Sequence, residues 1–526
     1  MKYCAMLLLM SSLLHTAGAT PLAERIWQLQ DYDISHINRV IDLAPQYGIN
    51  EIQLSHRIIM DAHQPLNNSK LAEDINTICQ RAHKRGLKVS VWTHELAEVP
   101  SDFRTDDRVD MENPRLWNWL EEKYDRLFQT CANIDGIVLT FHETEVPVYH
   151  DSKVISRLTP AERVAKLIDI IAGVCKSHGK YLVVRSFCYE PSELQFIKDG
   201  FALAKSDFTV MTKCQPHDWQ PFYPDNPLIG NVSGRPQIVE IDCGHEFLGQ
   251  ADIPYIDVEY VKRRLSYGVS KGIVGAVARI ERYSNHALDS PNWADVFVFS
   301  KLLQDPSDDP NRLLAEYLTE RYGKVAAPTL ATALSRTFDI VNKTFFALGF
   351  WMTDHSRIPS FNYALSHLQN NGVDKWDSDP KWTKIKKTLL SPDTRALNEI
   401  HKEKTRALAL CRRSIKDVES LRSVLSTADY EELMSYLRRE EAVVLTWRAY
   451  FDAFFGTLAF QRNPREEYRI GVENALDELQ EFSTKYGQEL REVTGDGGAD
   501  NVTRVKQFVT EIRERLAKSS GKIMSQ

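Results

Sequence analysis

The sequence predicts a (β/α)8 barrel followed by an all-helical C-terminal domain. Three observations carry this expectation. From residue 24 to about 323, short β-branched runs alternate with amphipathic stretches, and the alternation counts to eight. The runs are apolar on both faces, as strands sandwiched between a barrel interior and a ring of helices must be. From about residue 324 the strand signal stops and only helical periodicity remains.

The units fall in order. RIWQLQ (25–30) is the first strand, followed by ISHINRVIDLAPQYG as a helix. NEIQLS (50–55) is the second, and LAEDINTICQRAHKRG is its helix, stopped at Gly86, where a left-handed residue is needed. LKVSVWT (87–93) precedes PRLWNWLEEKYDRLFQTCANI, and DGIVLTF (135–141) precedes PAERVAKLIDIIAGVCKSHG, stopped at Gly179. KYLVVRSF (180–187) leads to PSELQFIKDGFALAK, whereas DFTVMTK (207–213) is followed by a long loop without a clear helix. PQIVEIDC (236–243) with DVEYVKRRLSYGVSKG, and GIVGAVARI (272–280) with a helix around NWADVFVFSKLLQ, complete the set. No GxGxxG turn follows the first strand, which weighs against a doubly wound dinucleotide-binding sheet.

The formal net charge of −7 argues against a nucleic-acid or anionic-membrane partner, since both reward a basic surface. MKYCAMLLLMSSLLHTAGAT carries Lys2, an apolar run to Leu14 and the A-x-A triplet Ala17-Gly18-Ala19. It reads as a signal peptide over residues 1–19, cleaved after Ala19, so a secreted or periplasmic protein without a membrane span is expected. The remaining seven cysteines (Cys79, Cys131, Cys175, Cys188, Cys214, Cys243 and Cys411) have no metal-type spacing, and no metal or cofactor is expected. The barrel is expected over 20–323 and the helical domain over 324–526, the latter a possible surface for homo-oligomers.

In such a barrel the reactive groups sit at the C-terminal ends of the strands. Reading those positions gives Asp31 and Asp33; His56 and Arg57; His94 and Glu95; His142, Glu143 and Glu145; and Arg185. The later strands add Lys213 and Asp218, Glu240 and Asp242, and Arg279, Glu281 and Arg282. Any one of these can be a structural ion pair. Several carboxylates on one rim, without a metal motif or a nucleophilic triad, point to acid/base work on a glycosidic bond. The cations beside them require a negatively charged partner, which an acidic sugar supplies.

Four segments resemble the α-glucuronidases of glycoside hydrolase family 67. TKCQPHDWQP is similar to that family's segment in which a lysine stands five residues before a catalytic aspartate. VEIDCGHEFLGQ, VVRSFCY and NWADVFVFSKLLQDPSDDPNRLLAEYLTERYG match further segments in order. The resemblance implies that Asp218 and Glu240 activate the attacking water and that Arg185 and Lys213 bind the uronate carboxylate. It also places the general acid in DGIVLTFHETE, where Thr144 occupies the matching position between Glu143 and Glu145. Glu143, the first carboxylate past the strand, is the preferred acid and Glu145 the alternative. His142 is a candidate substrate-binding residue beside them. A further departure is Thr140, where the family has a lysine.

The expected activity is removal of a uronic acid, α-linked glucuronate by resemblance, from an oligosaccharide or polysaccharide by single displacement with inversion. The alternatives are a catalytically silent carbohydrate-binding barrel, a glycosidase for another sugar, and a uronate lyase using His142 or His217 as base.

Overall fold

The computed structural model describes residues 20–493 and 499–523, with side chains up to residue 518. The expected signal peptide, residues 1–19, lies outside the described residues. Eight parallel strands close into a barrel: β1 (Glu24–Leu29), β2 (Glu51–Leu54), β3 (Lys88–His94), β4 (Gly136–Thr140), β5 (Tyr181–Arg185), β6 (Thr209–Lys213), β7 (Gln237–Asp242) and β8 (Gly275–Arg279). Each pairs with its sequence neighbours, and β8 returns to β1 with Glu24 opposite Gly275 and Gln28 opposite Arg279. The fold is therefore a (β/α)8 barrel with a helical C-terminal region.

The surrounding helices are α1 (Ile34–Leu43), α2 (Ser69–Lys84), α3 (Pro114–Thr130), α4 (Pro160–Ser177), α5 (Pro191–Leu203), α6 (Val258–Ser270) and α7 (Trp293–Gln304), with α8 (Pro310–Tyr322) leading out of the barrel. Several begin by one local device. Asn113, Thr159 and Asp309 accept a backbone N–H as N-caps, and the proline that follows each sits where its missing N–H is not needed. Gly86 and Gly179 take φ of 75° and 67° just past α2 and α4, which ends those helices as their residue type requires. Between β6 and β7 no regular helix forms over 214–236, in keeping with the loop read from the sequence.

Inside the barrel, Ile26, Trp92, Val138, Val183, Met211, Ile238 and Val277 pack as one apolar layer. Strand side chains repeat with period two, so the next inward positions toward the C-terminal end are His94, Thr140, Arg185, Lys213, Glu240 and Arg279. The apolar layer is a floor, and a polar layer stands on it.

The longer helices of the C-terminal region are α9 (Ala327–Leu334), α10 (Thr337–Phe345), α11 (Phe361–Asn370), α12 (Pro380–Leu390), α13 (Thr394–Glu419), α14 (Thr427–Arg462), α15 (Glu466–Lys485) and α16 (Asn501–Ile523). Within the part of the chain where the sequence carries only helical periodicity, PTLATALSRTFDIVNKTFFALG forms two helices, α9 and α10. It ends in a two-residue hairpin, Phe346–Ala347 with Phe350–Trp351, so strand pairing does not stop at residue 324. Such a hairpin is too short to leave a period-two signal. α14 is buried on most of its circumference because α13 and α15 pack along it and α10 and α16 also contact it. All seven described cysteines are buried and unpaired, and no described helix is long and apolar enough to cross a membrane.

Candidate active site

A cavity of about 500 Å³ opens at the C-terminal ends of the strands. Its barrel wall includes Glu143, Arg185, Lys213, Asp218, Glu246 and Arg279. Its other wall comes from the helical region through Trp351, His355, Tyr363, His367 and Asn371. The two regions are tied at this point. Tyr223 donates its hydroxyl to the Asn371 carbonyl at 2.8 Å, and Gly249 N–H donates to Ser356 Oγ at 2.8 Å. A more open groove of about 760 Å³ lies outside the barrel against α4, among Lys166, Asp169 and Leu203, remote from every strand mouth.

Three carboxylates face the cavity, each aimed by its loop. Glu143 lies three residues past β4 with φ of 57°, and its N–H donates to His142 Nδ1 at 2.9 Å. His217 takes φ of 61°, and the next N–H, that of Asp218, donates to His217 Nδ1 at 2.7 Å. Past β7, the buried Asp242 accepts the N–H groups of Gly244, His245 and Glu246 at 3.1, 3.1 and 2.8 Å, folding the loop so that Glu246 enters the cavity. Gly244 is required in that loop, since a Cβ there would meet the Glu281 backbone at 2.9 Å. Five cavity residues, His56, Glu143, His217, Tyr283 and His355, hold left-handed φ without being glycine. Such conformations cost about 1–3 kcal/mol each and gather where a site must aim its side chains.

The electrostatics pair each carboxylate with cations. Lys213 Nζ donates to Asp218 Oδ1 at 2.9 Å and lies over the rings of Phe187 and Trp219, 4.0 and 4.5 Å from their centroids. Glu246 is gripped by Arg279 at 2.8 Å and Arg282 at 3.0 Å, with His355 at 3.4 Å. Burial works to raise the Glu246 carboxyl, but Arg282 and Arg279 hold it well below the usual carboxylate range. Burial likewise opposes the ionisation of Asp218, and Lys213 with His217 lowers it nonetheless. Glu143 follows the same pattern: desolvation raises it, and His94, Arg185 and Lys213 pull it well below the ordinary value. The histidines move the other way. Burial lowers His217 and His367 to about 4, and His56 well below its ordinary value, so these three rings are neutral at pH 7.

Of the residues singled out in the sequence, Glu143, Arg185, Lys213 and Asp218 line this cavity, as do His56, His217, Arg279 and Arg282. Glu240, His142 and Glu145 do not. Glu240 is fully buried in the barrel and holds Arg185 by two hydrogen bonds. His142 stands behind Glu143, accepting its N–H, and Glu145 points to the surface, bonded to Arg104 at 2.6 Å. Much of the remaining rim is structural. Asp33 caps α1, Glu95 is bonded to Lys123 and Tyr124, and Glu281 accepts the N–H groups of Gln30 and Asp31. Residues that strand-end reading missed are Glu246, Tyr189, Tyr283 and the whole helical-region wall. Glu246 was legible as the acidic residue of the EFLGQ segment, but the wall residues carry no local signal.

His36, Glu281 and His286 form a group, the one described cluster compact enough to hold a metal ion. His36 Nε2 to Glu281 Oε2 is 2.6 Å, a hydrogen bond, whereas two ligands on a tetrahedral zinc stand about 3.3 Å apart. The two imidazoles also stack face to face, with centroids 3.4 Å apart. Both facts fit a hydrogen-bonded latch between α1 and the β8 loop better than a metal centre.

Fold and site together define a barrel with a polar cavity in which three carboxylates face four guanidinium or ammonium groups. No family model matches the chain. An α-glucuronidase of Hypocrea jecorina is 23% identical over 231 residues, 41% of this chain and 26% of that protein, so the chain spans about a quarter of the length of that curated relative. Among solved structures, a GH138 enzyme targeting pectin rhamnogalacturonan II superposes with a TM-score of 0.65 at 11% identity, covering 94% of this chain and 67% of the other. A GH115 4-O-methyl-α-glucuronidase with specificity for decorated arabinogalactans superposes with a TM-score of 0.50 at 13% identity, covering 91% and 60%. The distant resemblance seen in the sequence is thus matched, and at these identities the structural likeness establishes the fold.

Proposed function

We propose that the protein is an exported glycoside hydrolase that removes a terminal uronic acid, in keeping with the α-linked glucuronate of its distant relative, by single displacement with inversion. One observation carries the reading. Arg185, tethered from below by Glu240, makes no hydrogen bond through its buried Nη1 among the described residues, and it lines the same cavity as Lys213, Glu143, Asp218 and Glu246. A buried guanidinium N–H without an acceptor is costly, and a carboxylate from a ligand satisfies it with a charge-assisted bond.

Glu143 is the general acid in this proposal, and Asp218 or Glu246 directs the water. The free protein keeps Glu143 ionised through His94, Arg185 and Lys213. An acidic sugar between the two cations cancels part of their field and lets Glu143 take a proton, which a neutral sugar does not do. Recognition of the uronate and arming of the acid are then one event. The wall that Trp351 and Tyr363 raise over one side of the cavity supports action on a chain end over cleavage within a chain.

The test compares an aryl α-glucuronoside with the matching glucoside, following the first-formed anomer by NMR. Preference for the acidic sugar with inversion supports the reading, and equal rates on both sugars refute the uronate assignment. Binding of uronosides without turnover would identify the silent carbohydrate-binding barrel instead.

A further inference from the structure

His94 ends β3 with its side chain almost wholly buried. Its Nδ1 lies 2.9 Å from the Met60 carbonyl oxygen, and the His94 N–H donates to the same oxygen at 2.8 Å. A carbonyl can only accept, so Nδ1 carries a proton in either charge state of the ring. The other nitrogen, Nε2, is buried, makes no hydrogen bond among the described residues, and stands 3.7 Å from Glu143 Oε2. A carboxylate and a ring nitrogen with its tautomer fixed thus face each other just beyond hydrogen-bond length, and closing that gap lets a proton pass between them. The other charged and titratable groups around this pair are Arg185 Nη1 at 3.9 Å from Glu143 Oε2, the Tyr189 hydroxyl at 3.4 Å from Oε1, Lys213, Asp218, Tyr149 and His56.

We propose that His94 is the proton relay of Glu143, holding at Nε2 the proton that Glu143 delivers to the leaving oxygen. The inference rests on the glycosidase reading, and it supplies what that reading lacks, a proton source for an acid that is ionised in the free protein. When the sugar carboxylate occupies Arg185 and Lys213, the His94 Nε2–H bond breaks and Glu143 Oε2–H forms, leaving a neutral ring protonated at Nδ1. In the displacement that proton passes to the glycosidic oxygen as the C–O bond breaks. Water adds its oxygen to the anomeric carbon and gives a proton to Asp218 or Glu246. After product release that carboxylate returns its proton to solvent and His94 takes one up, so no net proton is consumed. His94 is a positioning residue here, acting through Glu143 and not on the sugar.

Glutamine at position 94 reaches with its amide where Nε2 stands but does not titrate, so His94→Gln separates shape from proton transfer. With an oligosaccharide that has a poor leaving group, kcat is expected to fall about 10- to 100-fold, less than the 10²–10⁴ contributed by general acid catalysis as a whole. With a nitrophenyl glycoside, kcat is expected to stay within about threefold, because that leaving group needs little protonation. Equal loss on both substrates would reveal a packing role, and no loss on either would also overturn the relay. A second measurement needs no turnover. Histidine-selective ¹⁵N NMR of the full-length protein at neutral pH should show a proton at His94 Nε2 that is lost when Glu143 is changed to Gln. An Nε2 signal that is the same in both proteins refutes the proton sharing, whereas an Nε2 proton lost in a protein that cleaves no uronoside keeps the pair and rejects the glycosidase reading.

Discussion

Glu240 grips Arg185 through two hydrogen bonds, from Nε to Oε2 at 2.8 Å and from Nη2 to Oε1 at 3.3 Å, entirely inside the barrel. The guanidinium also lies over Trp92 and Phe187, 4.7 and 4.8 Å from their centroids, which fixes its plane. Removing the carboxylate leaves a buried cation without its counter-charge. Glu240→Ala is therefore expected to destabilise the fold by about 3–5 kcal/mol. Urea unfolding measures this, and a loss under 1 kcal/mol would show that the pair does not anchor Arg185.

The two glutamates after β4 should separate sharply. Glu143 faces the cavity, whereas Glu145 makes an ion pair with Arg104 at the surface, a class worth about 0–1 kcal/mol. Glu143→Gln is expected to lower kcat on natural linkages by about 10²–10⁴, and Glu145→Gln to leave it within about twofold. Steady-state kinetics on an unactivated oligosaccharide decides, and the reverse ranking would move the acid to Glu145.

Lys213 and Arg185 should set selectivity for an acidic sugar. Lys213→Met and Arg185→Ala are each expected to reduce the glucuronoside-over-glucoside ratio of kcat/KM by about 1.5–3 kcal/mol, the worth of a hydrogen bond to a charged group. Lys213 also bonds Asp218, so a loss equal on both sugars would mean that its role is confined to that carboxylate.

Tyr363 belongs to α11, outside the barrel, yet it lines the cavity and stacks on His367 with centroids 4.2 Å apart. Tyr363→Ala is expected to raise KM about tenfold with little change in kcat, since it removes a wall and not a reacting group. Kinetics together with a circular dichroism check of the fold test this.

Glu440 on α14 gives a pH signature away from the site. Burial pushes its carboxyl up to about 8, and the Cys411 thiol offsets only part of that. A carboxyl raised above its unfolded value of 4.5 binds a proton in the native state that the unfolded chain has lost. Its contribution is full below pH 4.5 and declines as pH rises toward 8, on the order of a few kcal/mol over the interval. The difference in urea stability between the native protein and Glu440→Gln should therefore shrink as pH rises from 5 to 8. A difference independent of pH would refute the buried, protonated state.

The sequence alone determined the barrel, because both-face-apolar runs separated by capped amphipathic helices have few other ways to bury their surface. It also marked Arg185 and Lys213, since each closes an apolar strand run at the end where barrel sites form, and the structure sets each two residues past a floor residue, Val183 and Met211, on the same face of its strand. Strand periodicity could not decide which strand-seven carboxylate works. Glu240 and Asp242 face inward but are consumed by Arg185 and by the following backbone, while Glu246, carried round by that loop, reaches the cavity. The same limit separates Glu143 from Glu145: a left-handed residue is a choice the backbone makes under tertiary contact, and no spacing rule announces it. The helical-region wall is further still from local reading. Trp351, His355 and Tyr363 lie far along the chain from the strand mouths they cover, and only packing of the helices onto the barrel brings them there.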